Sequence, residues 1–254
     1  MKNWNLENKK ALVTGGSKGI GRAVVAELAT LGAEVLFTGR NEGDLLTAQD
    51  ELQNLGLETH FLQGAVTDAG HREAVKVWIS EHWGKLDILV NNAGINLRKP
   101  SNDYSSDEYH HIVDTDLLAP FEFCRNLFPL LQKSGLASVI NIASVAGSFD
   151  VQTGAPYGMA KAGLIQLSRN LAAEWAGHGI RVNSVSPWFT ETPLTKALLS
   201  QAEKLDKITS RTPLGRVAKD EEIAAAVAFL AMDKASYITG QNLSVDGGVT
   251  TGLL

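Results

Sequence analysis

"LVTGGSKGIGRAV", residues 12–24, joins a short apolar run to an amphipathic run through Gly15, Gly19 and Gly21, spaced G-x-x-x-G-x-G. The apolar run predicts a β-strand and the amphipathic run a helix, so the glycines fall in the turn between them. Glycine permits a tight turn and lets backbone N–H groups approach an anion at the positive end of a helix. This context favours a dinucleotide pyrophosphate site, and a plain glycine-rich turn is the alternative.

The rest of the chain repeats this alternation of short β-branched runs and longer runs of helical periodicity. Seven runs predict strands, at residues 11–15, 34–39, 59–64, 86–92, 138–144, 180–186 and 242–246. Six runs predict helices, at residues 21–31, 42–55, 69–83, 106–133, 155–176 and 220–232. Strands that alternate with helices run parallel and are joined by right-handed crossovers. We therefore predict an α/β fold, a Rossmann-type doubly wound parallel sheet of about seven strands with helices on both faces.

Length and patterning predict a single domain over residues 1–254, since no linker, repeat or low-complexity run interrupts the alternation. In such a sheet the ligand crevice lies beyond the carboxyl ends of the strands. We expect the first half, about 1–135, to hold a cofactor. The second half, about 136–254, is then expected to supply catalytic and substrate residues.

Charge and composition narrow the partners to small molecules. The net charge of −5 has interspersed signs and no basic stripe, which argues against nucleic acid or an anionic membrane surface. The start, "MKNWNLENKK", lacks the apolar segment of a signal peptide, so we expect a cytoplasmic protein. The single cysteine, Cys124, cannot form an internal disulfide and is expected to be a buried thiol. The six histidines form no ligand set, so no metal is expected.

The second predicted strand ends in a way that bears on cofactor choice. An NAD site usually places Asp or Glu here to bond the ribose 2′-hydroxyl, but this chain has Gly39 followed by Arg40. Lys18 adds a second cation from within the glycine turn. Two cations and no carboxylate suit a 2′-phosphate, so NADP(H) is favoured over NAD(H). The alternative is that Arg40 is merely a solvated loop residue.

A second stretch, "SVAGSFDVQTGAPYGMAK", holds Ser144, then Tyr157, then Lys161 four residues later. Tyrosine and lysine at this spacing share one face of a helix. Such pairs also occur for packing or solubility alone. The stretch by itself therefore leaves a reaction centre and an ordinary helix start both open.

Several motifs in order make the chain resemble the short-chain dehydrogenase/reductase family over nearly its whole length. They are "TGGSKGIG" (14–21), "NNAG" (91–94), Ser144 with Tyr157-x-x-x-Lys161, "RVNSVSP" (181–187) and "ITGQNLSVDGG" (238–248). Three further segments are similar to the tropinone-reductase-like branch, namely "NLRKPS" (96–101), "SPWFTETPL" (186–194) and "RTPLGRV" (211–217).

The resemblance implies that Ser144, Tyr157 and Lys161 converge on a nicotinamide. A carbonyl that accepts hydride develops negative charge on its oxygen, so a proton donor and a hydrogen-bond donor must be aimed at that atom. Tyr157 would donate the proton and Ser144 would hold the oxygen. Lys161 would stabilise the tyrosinate and bond the nicotinamide ribose. The expected activity is hydride transfer between NADP(H) and a ketone or secondary alcohol.

The resemblance also implies the cofactor contacts. They are expected from Gly15, Ser17, Lys18, Gly19, Ile20, Gly21, Arg40, Val66, Asn92, Ala93, Gly94, Tyr157, Lys161, Pro187 and Thr192. The "NNAG" segment would pass close to the cofactor ribose, with an ordinary strand-to-turn asparagine pair as the alternative. Thr192 would lie near the carboxamide.

Two residues depart from the family pattern. Asp116 stands where the family carries a fourth catalytic residue, an asparagine that acts through a helix distortion and a main-chain carbonyl. Asn and Asp are nearly isosteric, yet a carboxylate here would add charge close to Lys161. Ala65 stands where an Asp usually caps the adenine, so adenine contacts would fall to the backbone or to Val66.

The substrate pocket is where inference from sequence ends. It is expected to be built by a loop over 195–208 and by Asn96, Leu97, Ser144, Phe149, Gln152, Tyr157, Trp188 and Phe189. Its apolar and aromatic content suggests a medium-sized ketone. Trp188 replaces a glycine common in the family, and packing on the sheet edge is the alternative to a substrate wall.

Assembly and activity each keep an alternative. In the family the helices predicted at 106–133 and 155–176 pair about two-fold axes, so a homotetramer is expected, unless their apolar stripes are simply core. A catalytically impaired NADP-binding regulator is the competing function, motivated by Asp116. The intact Ser-Tyr-Lys set favours the enzyme. Sugar-nucleotide epimerases share Tyr-x-x-x-Lys but resemble longer chains.

Overall fold

The computed structural model describes residues 4–252. One parallel sheet runs in the order β3-β2-β1-β4-β5-β6-β7. Its strands are β1 (Lys10–Val13), β2 (Glu34–Gly39), β3 (Thr59–Gln63), β4 (Ile88–Asn91), β5 (Ala137–Ile142), β6 (Ile180–Pro187) and β7 (Asn242–Val245). The helices are α1 (Gly19–Thr30), α2 (Glu42–Asn54), α3 (Ala69–His82), α4 (Ser106–Val113), α5 (Ala119–Ser134), α6 (Ala155–Trp175), α7 (Pro193–Leu199), α8 (Ala202–Arg211) and α9 (Asp220–Ala231). The predicted α/β fold and its seven strands are confirmed.

The order of the strands places a crevice beside β1. The chain leads from β1 to β2 and β3 on one side and then crosses to β4 on the other, so Val13 lies in register with both Phe37 and Val90. The connections after β1 and β4 therefore leave the sheet in opposite directions. Ligands of doubly wound folds bind at this point, beyond the carboxyl ends of the strands.

Both faces of the sheet are covered by helices. Ala11 and Val13 of β1 pack in a core with Val24 of α1 and Val227 of α9. Leu12, between them, points to the opposite core, which includes residues of α3, α5 and α6. Side chains alternate across a strand, so two buried faces produce the near-continuous apolar runs seen in the sequence.

The helix predicted over 106–133 is wrong at its centre. It is divided into α4 and α5 by a π-helical segment, Asp114–Leu118. Pro120 has no N–H and cannot donate to the carbonyl of Asp116 four residues earlier. The wider π turn accommodates this interruption and is typical of functional positions. The main-chain carbonyl of Asp116 is thus released from α-helical bonding.

The loop predicted over 195–208 is also wrong, because α7 and α8 occupy this segment. Thr192 caps α7 in a reciprocal arrangement with Thr195, and Pro193 sits at the first helical position, where its missing N–H costs nothing. α7 has only seven residues, and α8 is rich in charged residues with few apolar ones, so neither helix shows the extended apolar periodicity that marks longer helices.

The lone cysteine lies in α5, as a buried thiol. The Asn91 amide donates to its sulfur over 3.4 Å, and burial raises the pKa of Cys124 to about 12. A thiol with so high a pKa is inert near neutral pH. The predicted burial of Cys124 is confirmed.

Within residues 4–252, no helix combines the length and the apolar character needed to cross a membrane.

Candidate active site

A cavity of about 550 Å³ opens at the carboxyl ends of the strands, between the glycine turn and α6. Its wall includes the whole set assigned to the cofactor from sequence, namely Gly15, Ser17, Lys18, Gly19, Ile20, Gly21, Arg40, Val66, Asn92, Ala93, Gly94, Tyr157, Lys161, Pro187 and Thr192. Ser144 and Asp116 line the same cavity. The structure brings the candidate catalytic and cofactor residues together, while their individual roles remain predictions.

The glycine turn is shaped for a phosphate. Gly15 has a φ of +65°, and a Cβ there would lie 2.9 Å from the Cα of Ala93. Lys18 precedes α1 without a side-chain cap, and the first turn of α1 carries no acidic residue. The N–H groups of this helix end have no partner within the helix and are available to an anion. The pyrophosphate of a dinucleotide therefore fits this cradle.

Asn92, directly after β4, holds the glycine turn in place. Its side-chain amide donates to the carbonyls of Thr14 and Gly15, each over 3.0 Å. In return, the hydroxyl of Thr14 accepts the backbone N–H groups of Asn92 and Ala93. The Asn92 side chain is therefore engaged in holding the turn, which gives it a structural role whatever its contact with a ribose.

Gly21→Ala tests the steric limit of this turn. The new Cβ would lie 2.1 Å from the Gly15 carbonyl oxygen and 2.3 Å from the Asn92 amide nitrogen. Alanine in a helix is ordinarily better than glycine by about 1 kcal/mol, but this overlap is with backbone and must dominate. We expect the free energy of unfolding to fall by about 1–3 kcal/mol, measured in urea. Gly177→Ala, whose Cβ would meet nothing within 4 Å, is the control. Equal stability of the two variants would contradict the prediction.

The end of the cavity beside β2 carries three charged side chains. Arg40 is exposed at the end of β2, where its carbonyl accepts from the Gln63 amide over 3.2 Å. Lys18 forms an ion pair with Asp44, with Nζ and Oδ2 2.8 Å apart. Sequence analysis missed Asp44, although its position three residues after the helix-capping Asn41 points it toward the same end of the sheet.

The turn after β3 is held by a side chain of α3. Arg72 donates from Nη1 to the carbonyl of Val66 over 2.8 Å, and this contact was also missed from sequence. Ala65 lines the cavity beside Val66. Arg72 thus fixes the backbone of Val66, to which the sequence analysis assigned adenine contacts.

The candidate catalytic residues meet where β5 ends and α6 begins. Lys161 is 4% exposed and donates to the Ile142 carbonyl over 3.0 Å, with its Nζ 5.5 Å from the centre of the Tyr157 ring. The Ser144 Oγ accepts the N–H of Ala146 over 3.1 Å. Because this bond uses the oxygen as an acceptor, the Ser144 hydroxyl proton is available to a substrate oxygen.

Asp116 is buried against Lys161 and ties together two segments. Its Oδ1 accepts the N–H of Ile95 over 2.8 Å. Its Oδ2 lies 3.2 Å from the Lys161 Nζ without an aligned hydrogen bond among the described residues, so the two groups interact through charge. The carboxylate expected near the lysine is therefore present at ion-pair distance.

The two charges shift one another's titration. Burial raises the pKa of Asp116 above its usual range, although the Lys161 ammonium opposes this. Burial also disfavours the Lys161 ammonium, but the Asp116 carboxylate, with a smaller contribution from Tyr157, outweighs it and holds the pKa of Lys161 above its ordinary value. Lys161 therefore stays charged through the neutral range.

Asp116→Asn should separate the geometry of this position from its charge. Asparagine keeps the shape and the acceptor for Ile95, so we expect activity near neutral pH within a fewfold of wild type. The pKa of Lys161 should fall, yet its ammonium, no longer neutralised, should stabilise the tyrosinate better. The rise in the rate of alcohol oxidation with increasing pH should then occur at a pH lower by up to about one unit. The measurement is a pH–rate profile of both proteins with one alcohol, and a shift of this rise to higher pH would refute it.

Trp188 lies at the end of the cavity where the nicotinamide is predicted from sequence. Its indole N–H donates to the Thr212 hydroxyl over 3.0 Å, and its ring meets Phe189 edge to face with centroids 4.7 Å apart. Trp188 lines the cavity as well. Trp188 therefore both packs against neighbouring residues and lines the cavity, as the two interpretations from sequence proposed separately.

The other candidate substrate residues are dispersed. Asn96, Leu97 and Phe189 do not line the main cavity. Phe149 and Gln152 line a neighbouring cavity of about 770 Å³ on the other side of the loop that follows Ser144. Gln152 has a φ of +57°. Its side chain accepts from Lys207 of α8 over 3.5 Å, which connects that loop to α8.

Comparisons with known proteins agree over nearly the whole chain. A sequence model of the family described as "Enoyl-(Acyl carrier protein) reductase" matches residues 15–250. A tropinone reductase homolog of Arabidopsis thaliana is 47% identical over 253 residues, 98% of this chain and 95% of the relative. Another, named as chloroplastic, is 42% identical over 248 residues, 97% of this chain and 77% of the relative. A gluconate 5-dehydrogenase from Burkholderia cenocepacia, solved with NADP and tartrate, is 31% identical, with a TM-score of 0.94 over 99% of both chains.

Proposed function

The chain belongs to the short-chain dehydrogenase/reductase family, in its tropinone-reductase-like branch, and from that premise we propose that it transfers hydride between NADP(H) and a ketone or secondary alcohol. Membership makes it an oxidoreductase that uses a nicotinamide cofactor. The preference for NADP(H), the Ser-Tyr-Lys chemistry and the carbonyl substrate are the proposal.

One observation carries it: Ser144, Tyr157 and Lys161 open onto the same cavity as the glycine turn. A binding module needs the glycine turn and Lys161, but it has no need of a serine and a tyrosine at the far end of the cavity. Three reactive groups beside a nucleotide cradle are what a carbonyl reductase requires.

The residues divide the chemistry between them. The cofactor supplies or accepts the hydride when bound. Ser144 holds the carbonyl oxygen through its free hydroxyl proton, and Tyr157 gives that oxygen its proton as negative charge develops. Lys161, kept charged by Asp116, stabilises the tyrosinate that results. In the oxidative direction the same groups act in reverse.

The test is a panel of carbonyl compounds with both reduced cofactors. Loss of NADPH absorbance should accompany at least one ketone, with NADH slower for the same ketone. Cyclic ketones, aromatic ketones and 5-keto sugar acids should be included, the last because the Burkholderia neighbour is named as a gluconate 5-dehydrogenase. Faster turnover with NADH would overturn the cofactor choice, and a protein that binds NADPH but reduces nothing would overturn the enzyme.

A protein that binds NADPH but reduces no carbonyl compound would be a catalytically impaired regulator. Asp116 is the residue that suggests this alternative. A carboxylate beside Lys161 weakens the positive field that the tyrosinate feels. If Asp116→Asn gained several orders of magnitude in rate, the natural chain would be catalytically impaired. The intact reactive set supports the enzyme instead.

Assembly into a homotetramer in the cytoplasm belongs to the same proposal. The exposed face of α5 includes Phe121, 38% accessible, and that of α6 includes Met159, 64% accessible. Apolar side chains on two long helices suit pairing about a two-fold axis. Sedimentation at micromolar concentration should give four chains, and Met159→Lys should lower that number. A monomeric wild type would refute the tetramer. A fluorescent fusion tests the location against the chloroplast named for one relative.

A further inference from the structure

Asp44 stands at the end of the cavity beside β2 as a third charge next to the two cations that suit a 2′-phosphate. It lines the cavity together with Lys18 and Arg40. Its Oδ2 lies 2.8 Å from the Lys18 ammonium. A carboxylate at this distance offsets one of the two positive charges offered to the ligand.

The fold holds this carboxylate in place. Asp44 is in the first turn of α2, and its backbone N–H donates to the side chain of the capping Asn41 over 2.9 Å. An acidic group is stabilised at a helix N-terminus by the helix dipole. The flexible member of the pair is Lys18, so the position of its ammonium is set by Asp44.

From this we infer that Asp44 is a specificity-determining residue that draws Lys18 away from a 2′-phosphate and so limits the preference for NADP(H) over NAD(H). The inference rests on the proposed function for its ligand. A 2′-phosphate carries about −1.5 to −2 charges at neutral pH. Its binding is weakened because the Lys18 ammonium is paired with Asp44 and because the Asp44 carboxylate repels it. A 2′-hydroxyl meets neither penalty, so Asp44 leaves NAD(H) binding unchanged.

The expected effect is moderate because the pair is partly solvated. The Lys18 and Asp44 side chains are 55% and 33% accessible, so water and salt screen the interaction. Asp44→Asn should tighten a 2′-phosphorylated ligand by about three- to tenfold at low ionic strength. The gain should shrink as salt is added.

Calorimetry with two cofactor fragments tests this without turnover. Adenosine 2′,5′-bisphosphate carries the 2′-phosphate, and 5′-AMP lacks it. Asp44→Asn should tighten the bisphosphate alone. Glu42→Gln removes the same charge from the same helix turn but lies outside the cavity wall, and it should change neither affinity by more than about twofold. In a Lys18→Met background, the increase in bisphosphate affinity caused by Asp44→Asn should be at least halved.

The outcomes separate this inference from the proposed function. If wild type binds neither fragment, nucleotide binding itself fails and Asp44 with it. If both fragments bind and Asp44→Asn leaves the bisphosphate unchanged or weaker, only the role of Asp44 is refuted. If Asp44→Asn weakens 5′-AMP, the carboxylate contacts the ribose hydroxyl directly, which also refutes it.

Discussion

Tyr157→Phe should lower kcat for ketone reduction by about 10²–10⁴-fold, the usual contribution of a general acid. The substitution removes one hydroxyl group and leaves the ring in place. Lys161 sits 5.5 Å from the centre of that ring and keeps its bond to the Ile142 carbonyl and its ion pair with Asp116. NADPH binding, followed by its fluorescence, should therefore stay near the wild-type value.

A matched control distinguishes lost chemistry from a general effect of removing a tyrosine hydroxyl. Tyr237 is fully exposed, and Tyr237→Phe should leave kcat unchanged. Loss in kcat with unaltered cofactor affinity means that the missing interaction belongs to the transition state. More than about a tenth of wild-type activity in Tyr157→Phe would point to another acid.

The second large effect concerns cofactor choice at the end of β2. A guanidinium that grips a 2′-phosphate contributes a few kcal/mol, so wild type should prefer NADPH by about a hundredfold in kcat/KM. Gly39→Asp combined with Arg40→Leu should reverse this preference, because a carboxylate would then face the ribose hydroxyl. The new Cβ at position 39 would lie 3.1 Å from Leu45 and 3.2 Å from the Ser17 hydroxyl, a tight but adjustable fit.

Two further variants make the result interpretable. Arg40→Leu alone should lose NADPH preference without gaining activity with NADH. Arg169→Leu, an exposed arginine on α6, should change neither. A wild type that already prefers NADH would show that Arg40 is only a solvated loop residue.

The sheet and its order of elements were predictable because buried strands and amphipathic helices leave different periodicities in the sequence. The strands, of four to eight residues, were found from β-branched runs alone, each to within two residues at either end. The same logic failed at α7 and α8, whose few turns carry too little apolar repetition. It also failed at Asp114–Leu118, since a π turn changes backbone bonding and leaves the surrounding pattern helical.

The site divided along a similar line. Residues fixed by motif, such as Gly15 and Lys161, fell on the cavity because their position in the fold follows from their position in the motif. Contacts that depend on side chains meeting across the fold were not visible, as for Asp44 with Lys18 or Arg72 with Val66. Asp116 was an intermediate case. The motif placed it near Lys161, but the distance between the two side chains could be obtained only from the structure.

The bracing of the glycine turn by Asn92 bears on the thermodynamics of cofactor association. Four hydrogen bonds, all between protein groups, link the Asn92–Ala93 backbone and the Asn92 side chain to Thr14 and Gly15. A loop that is already ordered loses little conformational entropy when its ligand arrives, and each side chain spared immobilisation is worth about 0.5–1.5 kcal/mol. Asn92→Ala should therefore increase the entropic cost of cofactor binding. Cofactor association should also become slower, because the glycine turn must first adopt its binding conformation.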